Sequence, residues 1–266
     1  MGMAIKSPVI VMALYDIGRD KWNSFQVSYN TYLNWMQNTL SLDANIVIYT
    51  EKKFVNDIVR MRKQFDRTLD KTKILILPLN ELDCFKLYFD DLENLMNCNV
   101  FKNKCHHSVP EMNRPLYNVI MFNKLNFLKH TKDNNYFNND FLIWADAGGL
   151  REYIGNYKNI IWPNIEKINE LDNNKVTFFS HTSDFNIDNK EYHAMSQTRY
   201  IQGTAFFVPS HLVDSLTLEF NKVIEECLDS CYIGSDEKIF DLLYIKDKSK
   251  YYFVKCSWRE YFDIFK

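Results

Sequence analysis

Residues 140–151 read Asp-Phe-Leu-Ile-Trp-Ala-Asp-Ala-Gly-Gly-Leu-Arg. The apolar run from Phe141 to Trp144 ends near a lone acid, Asp146, and two of the chain's seven glycines follow at once as Gly148 and Gly149. A buried strand that stops at a carboxylate and a Gly-Gly turn is how α/β enzymes deliver an acid to a ligand crevice. The competing reading is an Asp that only starts a turn, since Asp and Gly favour turns for backbone reasons. Two further polar groups stand after earlier apolar runs: Asp16 to Arg19 after the first, and Glu51 after the second. None of the three lies in a Gly-x-Gly-x-x-Gly or Walker A pattern, so the familiar glycine-rich phosphate cradles are unsupported. Another group must neutralise any phosphate.

Lys124 is the candidate for part of that task. Winding residues 116–129 at about 100° per residue puts Asn118, Asn123, Asn126 and Lys129 on one arc. Lys124 falls outside that arc, between Tyr117, Ile120, Phe127 and Leu128. A cation on the core-facing side is costly unless it is paired. Three fates are open: it snorkels to water, it pairs with a protein carboxylate, or it meets a ligand phosphate. In the last two, Asp146 on the following strand is the expected neighbour.

These residues need elements to position them. Strand-like runs are expected over 8–14, 45–49, 74–77 and from Phe141, with helices over 21–40, from 52 to about 64, over 81–96 and from Pro115 to about 130. Pro115 suits a helix's first turn. Residues 97–114 are polar and read as an irregular loop, as do the Asn-rich residues 133–139. Such a β-α-β-α-β-α-β order predicts a mainly parallel sheet covered by helices, and ligands then sit beyond the carboxyl ends of its strands. Asp16–Arg19, Glu51 and Asp146 converge there by position. The second half is less regular: a short helix over 163–171, strands over 175–180 and 202–208, a helix to about 228, another opened by Gly234-Ser235-Asp236-Glu237, a strand over 251–254 and an aromatic tail, Trp258 to Phe265. No repeat, linker or compositional break appears, so residues 1–266 read as one domain.

Bulk composition narrows the class. The 266-residue chain is 46% hydrophobic and 15% aromatic, enough for a sizeable core, and its net charge of −2 gives no reason to expect nucleic acid or an acidic membrane surface as partner. No secretory leader and no run of roughly 18–20 apolar residues appears, so a soluble, cytoplasmic protein is expected. The six cysteines lack C-x-x-C spacing and read as free thiols. Cys105-His106-His107 has only Cys98 as a nearby companion, which is poor spacing for structural zinc.

Taken in order, Val9–Leu14 with Tyr15-Asp16-Ile17-Gly18-Arg19, the strand closing on Glu51, Trp144-Ala145-Asp146-Ala147-Gly148, Tyr200-Ile201-Gln202-Gly203-Thr204-Ala205-Phe206-Phe207 and Ser235-Asp236-Glu237 resemble the HtrL/YibB-like proteins. Those proteins are generally placed among GT-A-type glycosyltransferases. The resemblance runs over nearly the whole chain. It implies a GT-A-like, Rossmann-related α/β fold and a transferase that moves a sugar from a nucleotide-diphosphate donor, UDP-linked by expectation, to a glycan or protein hydroxyl. It also implies that Leu14, Tyr15, Asp16 and Arg19 hold the nucleoside, that Glu51 contacts base or ribose, and that Asp146, Ala147 and Gly148 stand where an Asp-x-Asp binds Mn²⁺ or Mg²⁺ across the diphosphate. Here the sequence departs from the pattern, because only one carboxylate remains. His181, His193 and Asp236 are candidates for a second metal ligand, and spacing does not choose among them.

On the acceptor side the resemblance puts Gln202, Gly203 and Thr204. A residue without Cβ lets a sugar approach the backbone, or else marks a bulge. Asp236 and Glu237 are the candidate catalytic acids, as a base for the acceptor hydroxyl or as stabilisers of a cationic sugar. Two acids after Ser235 also suit a helix's first turn through the macrodipole and an N-cap. Trp258-Arg259 with the aromatic tail either folds over the sugar or docks on the core. Two other functions compete. A sugar-nucleotidyltransferase would want a glycine- and Lys/Arg-rich loop after the first strand, and residues 15–20 offer one Gly and one Arg. A catalytically silent sugar-nucleotide-binding protein is favoured by the missing second Asp.

Overall fold

The computed structural model describes residues 8–105, 109–138, 140–151, 157–182, 184–257 and 260–266. Seven strands form one sheet in the order β3-β2-β1-β4-β6-β5-β7. They are β1 (Val9–Leu14), β2 (Asn45–Thr50), β3 (Thr72–Ile76), β4 (Phe141–Ala145), β5 (Val176–Ser180), β6 (Ile201–Pro209) and β7 (Tyr251–Lys255). The first four lie parallel, β6 runs antiparallel to both β4 and β5, and β5 pairs parallel with β7. Six strands therefore point one way and β6 alone points back. The carboxyl ends of β1, β2 and β4 and the beginning of β6 meet on one edge of the sheet.

The central strands are buried throughout, as continuous apolar runs covered on both faces must be. Side chains alternate between the faces. Val9, Val11 and Ala13 join one apolar cluster with Leu142 and Trp144, while Ile10, Met12 and Leu14 join the other with Phe141 and Ile143. Around the sheet lie α1 (Tyr29–Leu40), α2 (Val55–Arg62), α3 (Asp83–Asn97), α4 (Asn99–Lys104), α5 (Pro110–Asn113), α6 (Pro115–Phe122), α7 (Lys124–Asp133), α8 (Ile165–Asn169), α9 (Lys190–Met195), α10 (Val213–Asp229), α11 (Asp236–Lys246) and α12 (Tyr261–Ile264).

Three expectations need correction. The helix expected over 21–40 begins at Tyr29, where Ser28 caps it by accepting the Thr31 amide at 3.1 Å, and a short turn at Arg19–Lys21 precedes it. The stretch 97–114 is not simply irregular, since α4 and α5 fall in it, the latter opened by Pro110. The helix from Pro115 is divided at Asn123 into α6 and α7. There the side chain of Asn123 turns to the neighbouring α3 and accepts the Cys84 amide at 3.1 Å. In the tail, Tyr261, Phe262 and Phe265 are buried, with Phe262 stacked on Trp162 at 5.2 Å, so this described part docks on the core. Trp258 and Arg259 lie outside the described residues, as do His106 and His107. No described helix is long and apolar enough to cross a membrane.

Candidate functional site

A cavity of about 170 Å³ opens at the carboxyl ends of β1 and β4, and Leu14, Tyr15, Arg19, Asp146, Ala147 and Gly148 line it. Its walls also include Tyr32, Tyr117 and Ile120, an apolar surface with a few polar groups of the kind that holds a planar organic ligand. Gly18, at φ +73°, turns the chain after β1. That turn leads to Arg19, whose guanidinium donates to the Phe25 carbonyl at 3.0 Å and to the Tyr32 hydroxyl, and lies over Trp22. On the other side, Arg151 donates to the Gly148 carbonyl at 2.7 Å and lies 4.5 Å from the Trp35 ring.

Asp16 accepts the Gly18 amide at 2.9 Å and pairs with Lys53, which holds its carboxyl below the usual range despite the opposing effect of burial. Glu51 accepts the Asp16 amide at 2.6 Å and so fastens the end of β2 to that of β1. Its own surroundings are a separate groove shared with Lys53, Ile76 and Pro78. The structure thus puts Glu51 beside the cavity rather than in its lining.

Behind the cavity stands a cluster of charges. Asp146 extends the β4–β6 ladder by one step, its amide donating to the Thr204 carbonyl at 2.8 Å, and its carboxylate accepts Trp144 Nε1 at 2.7 Å. Lys124, at the first position of α7, is 1% exposed. Its ammonium lies 3.0 Å from Asp146 Oδ1, 2.7 Å from Asp236 Oδ2 and 2.8 Å from the Gly203 carbonyl. Of the three fates open to Lys124, pairing with protein carboxylates is the one observed. Burial works against its charge, and Asp146 and Asp236 more than compensate, so its pKa rises. Burial pushes the Asp146 carboxyl upward, with Lys124 pulling against it.

The next residue, Glu237, accepts the Gly203 amide at 3.1 Å and meets Arg199 Nε at 3.1 Å. Burial first, and the charge of Asp236 second, push its carboxyl up to about 7. Arg199 also holds Glu111 at 2.6 Å. Gly203 is explained by close approach, because a Cβ there would lie 2.5 Å from Asp236 Oδ2. The space in front of that glycine belongs to the two acids. Gln202 donates to the Cys256 carbonyl at 2.7 Å, away from them. Ser235 occupies the N-cap position of α11 but makes no cap bond, so the macrodipole-and-cap explanation for the acid pair holds only in its dipole half.

Lys124, Asp146, Asp236, Glu237 and Gly203 are therefore one assembly, with Leu14, Tyr15 and Arg19 beside it. Arg151, Arg199, Glu111 and Tyr117 were missed by the sequence reading. Arg151 carried a signal, being two residues beyond the Gly-Gly turn. Arg199 and Glu111 carried none, since each lies in a stretch with no usable periodicity.

The divalent ion implied at Asp146 does not fit the donors present. A hard cation needs several oxygen ligands free to turn toward it. Asp146 Oδ1 already accepts two N–H groups, and the point between Asp146 and Asp236 is filled by the Lys124 ammonium. His193 is committed to Asp241 at 2.9 Å, and His181 lies near Glu260. Among the described residues no three His, Cys, Asp or Glu side chains converge to hold an ion. All six cysteines are free.

Comparison with solved structures shows the fold to be GT-A-like. A galactosyltransferase, LgtC, in complex with donor and acceptor sugar analogs superposes with a TM-score of 0.50 at 10% identity, covering 92% of this chain and 73% of that one. Mouse xyloside xylosyltransferase 1, in its apo form, gives 0.46 at 11% identity over 94% and 88% of the two chains. No curated protein sequence matches. The pattern of HtrL_YibB, described as bacterial proteins of unknown function, matches residues 6–266, and the chain belongs to this family.

Proposed function

We propose that this protein is a glycosyltransferase, residues 1–266 acting as one domain, that takes a sugar from a UDP-linked donor and passes it to a hydroxyl of a glycan or protein. The observation that carries the reading is the juxtaposition of an aromatic-walled cavity flanked by Arg19 and Arg151 with the carboxylate assembly of Asp146, Asp236 and Glu237. The cavity suits a nucleoside, and the guanidiniums suit phosphates. A carboxyl poised near neutrality suits proton transfer. In this reading Leu14 and Tyr15 bound the nucleoside, and Thr204 stands toward the acceptor. Glu237 takes the proton of the acceptor hydroxyl. The acceptor oxygen bonds to the anomeric carbon, the bond from that carbon to the phosphate oxygen breaks, and the nucleoside diphosphate leaves with the electron pair. Asp146, fixed by Trp144 and Lys124, orients the donor sugar. Mn²⁺ or Mg²⁺ enters no step, since the residues at Asp146 do not fit one.

Transfer assays over a panel of nucleotide-sugars and sugar or peptide acceptors test the reading. Acceptor-dependent release of nucleoside diphosphate that vanishes in Asp146→Asn supports it. Binding of nucleotide-sugars with no turnover on the whole panel would leave a silent binding protein instead.

A further inference from the structure

We propose that the nucleoside diphosphate is held here without a divalent cation, Lys124 filling the place between Asp146 and Asp236 and Arg19 with Arg151 answering the charge of the phosphates. The proposal rests on the donor reading above and adds how the leaving group is held.

The first half follows from the ammonium's geometry. An ammonium has three N–H donors. Those of Lys124 are matched by three acceptors, the Gly203 carbonyl at 2.8 Å, Asp236 Oδ2 at 2.7 Å and Asp146 Oδ1 at 3.0 Å. A second cation brought to the same oxygens would displace Lys124 or sit against it. Displacement would strand a buried ammonium, since Lys124 is 1% exposed and its Nζ lies 5.6 Å from the Trp144 ring centre. Saturated in this way, Lys124 has no N–H left for a phosphate either. It neutralises protein carboxylates, and the donor's charge must be met elsewhere.

Arg19 and Arg151 meet it. They reach the same cavity from the loops after β1 and β4, and both rest on α1. Arg19 bonds the Tyr32 hydroxyl, and Arg151 lies over Trp35. Those two rings are one helical turn apart and pack edge to face at 5.4 Å. A single turn of α1 therefore carries both guanidiniums. The ring contacts and the bonds to the Phe25 and Gly148 carbonyls fix each planar group, and the terminal N–H groups of a guanidinium donate to phosphate oxygens in pairs. Each phosphate of a nucleoside diphosphate then has an arginine to meet.

Calorimetric titration of UDP, GDP and ADP into the full chain, first in EDTA and then in Mn²⁺, tests this together with a Mn²⁺ titration followed by electron paramagnetic resonance. The proposal expects one nucleotide to bind with the same Kd in both buffers. It expects no saturable Mn²⁺ site on the wild type, and weakening of roughly tenfold or more in Arg19→Ala and in Arg151→Ala at unchanged circular dichroism. Lys124→Ala, where it folds, should acquire a Mn²⁺ signal between the freed carboxylates; the wild-type titrations stand without it. Nucleotide binding that appears only with Mn²⁺ overturns the proposal and leaves the donor reading standing. Arginine variants that bind like wild type also overturn it. Failure of all three nucleotides in both buffers overturns the donor reading, and this proposal with it.

Discussion

Replacing Lys124 by methionine keeps a long apolar stem of similar length and deletes only the ammonium. Two carboxylates that share it, at 2.7 and 3.0 Å, then lose their counter-charge, and the Gly203 carbonyl loses a donor. Removing one partner of a buried ion pair costs about 3–5 kcal/mol, because the charge left behind is uncompensated. For a chain of this size each kcal/mol moves the unfolding midpoint by about 2–4 °C, so Lys124→Met should melt roughly 6–20 °C below wild type. The loss should depend on pH, with a definite sign. Burial already raises Asp146, and Lys124 is the main influence opposing that rise. Without it, Asp146 binds a proton in the folded state that the unfolded chain gives up near pH 3.9. A raised acid stabilises the folded protein at low pH and loses that contribution as pH climbs through the folded value. The deficit of the variant should therefore be small in mild acid and grow toward pH 8. Denaturant unfolding of wild type and variant across that range measures it, and adding Asp236→Asn to Lys124→Met should restore part of the loss. A deficit below about 1 kcal/mol, or one that stays flat with pH, would refute the view that this ammonium holds the two acids together.

Asp146→Asn should abolish turnover while circular dichroism stays that of wild type, since Lys124 keeps Asp236 and the Gly203 carbonyl as partners; an active variant would remove Asp146 from the site. With Glu237 pushed up to about 7, activity should fall as pH drops through that value and protonates the base, whereas Glu237→Gln should lose about 10²–10⁴-fold in rate along with that limb of the profile. Gly203→Ala places a methyl 2.5 Å from Asp236 Oδ2 and should cost about 1–3 kcal/mol in an unfolding titration. Alanine at Gly18, where φ is +73° and no atom lies within 4 Å of the added carbon, should show only the backbone strain of about 1 kcal/mol.

Much of the sheet was legible because β1, β2 and β4 are continuous apolar runs and each ends on a polar group. The reversal of β6 was not legible, since an antiparallel strand buried on both faces has the same composition as a parallel one. That reversal matters most for the site. It brings Gly203 and Thr204 back to the edge where Asp146 stands, as the Ala145–Ala205 pairing and the next ladder bond show. The helix division at Asn123 was hidden for a related reason. Helical periodicity counts a residue as polar or apolar, and it does not register that an asparagine can be buried when a backbone group waits for it. Asn118, Asn123 and Asn126 form a polar arc on paper, yet all three are buried, bonded to the Glu111 carbonyl, the Cys84 amide and the Cys84 sulfur. Of that arc only Lys129 reaches solvent. Arg62 shows the same limit: its guanidinium is 1% exposed and spans the carbonyls of Leu40, Leu42 and Ala44, which no local pattern announces.

Lys124 marks how far the same reasoning reaches. It is buried as the winding suggested, although the helix divides at Asn123 and the asparagine arc opposite is buried too, and a buried cation implies a partner on physical grounds. The identity of the partners did not follow, because Asp236 lies 112 residues along the chain. Read locally, Ser235-Asp236-Glu237 is an ordinary opening of a helix, with a cap and two acids on the positive end of the dipole. In the structure the cap bond is absent, one acid is taken by Lys124, and the other is divided between Gly203 and Arg199. Acids that served the helix terminus alone would point their oxygens at its free amides. These point into the sheet edge instead, against a glycine that has no Cβ to keep them out, so what holds them there is Lys124, Arg199 and the Gly203 backbone and not the helix terminus.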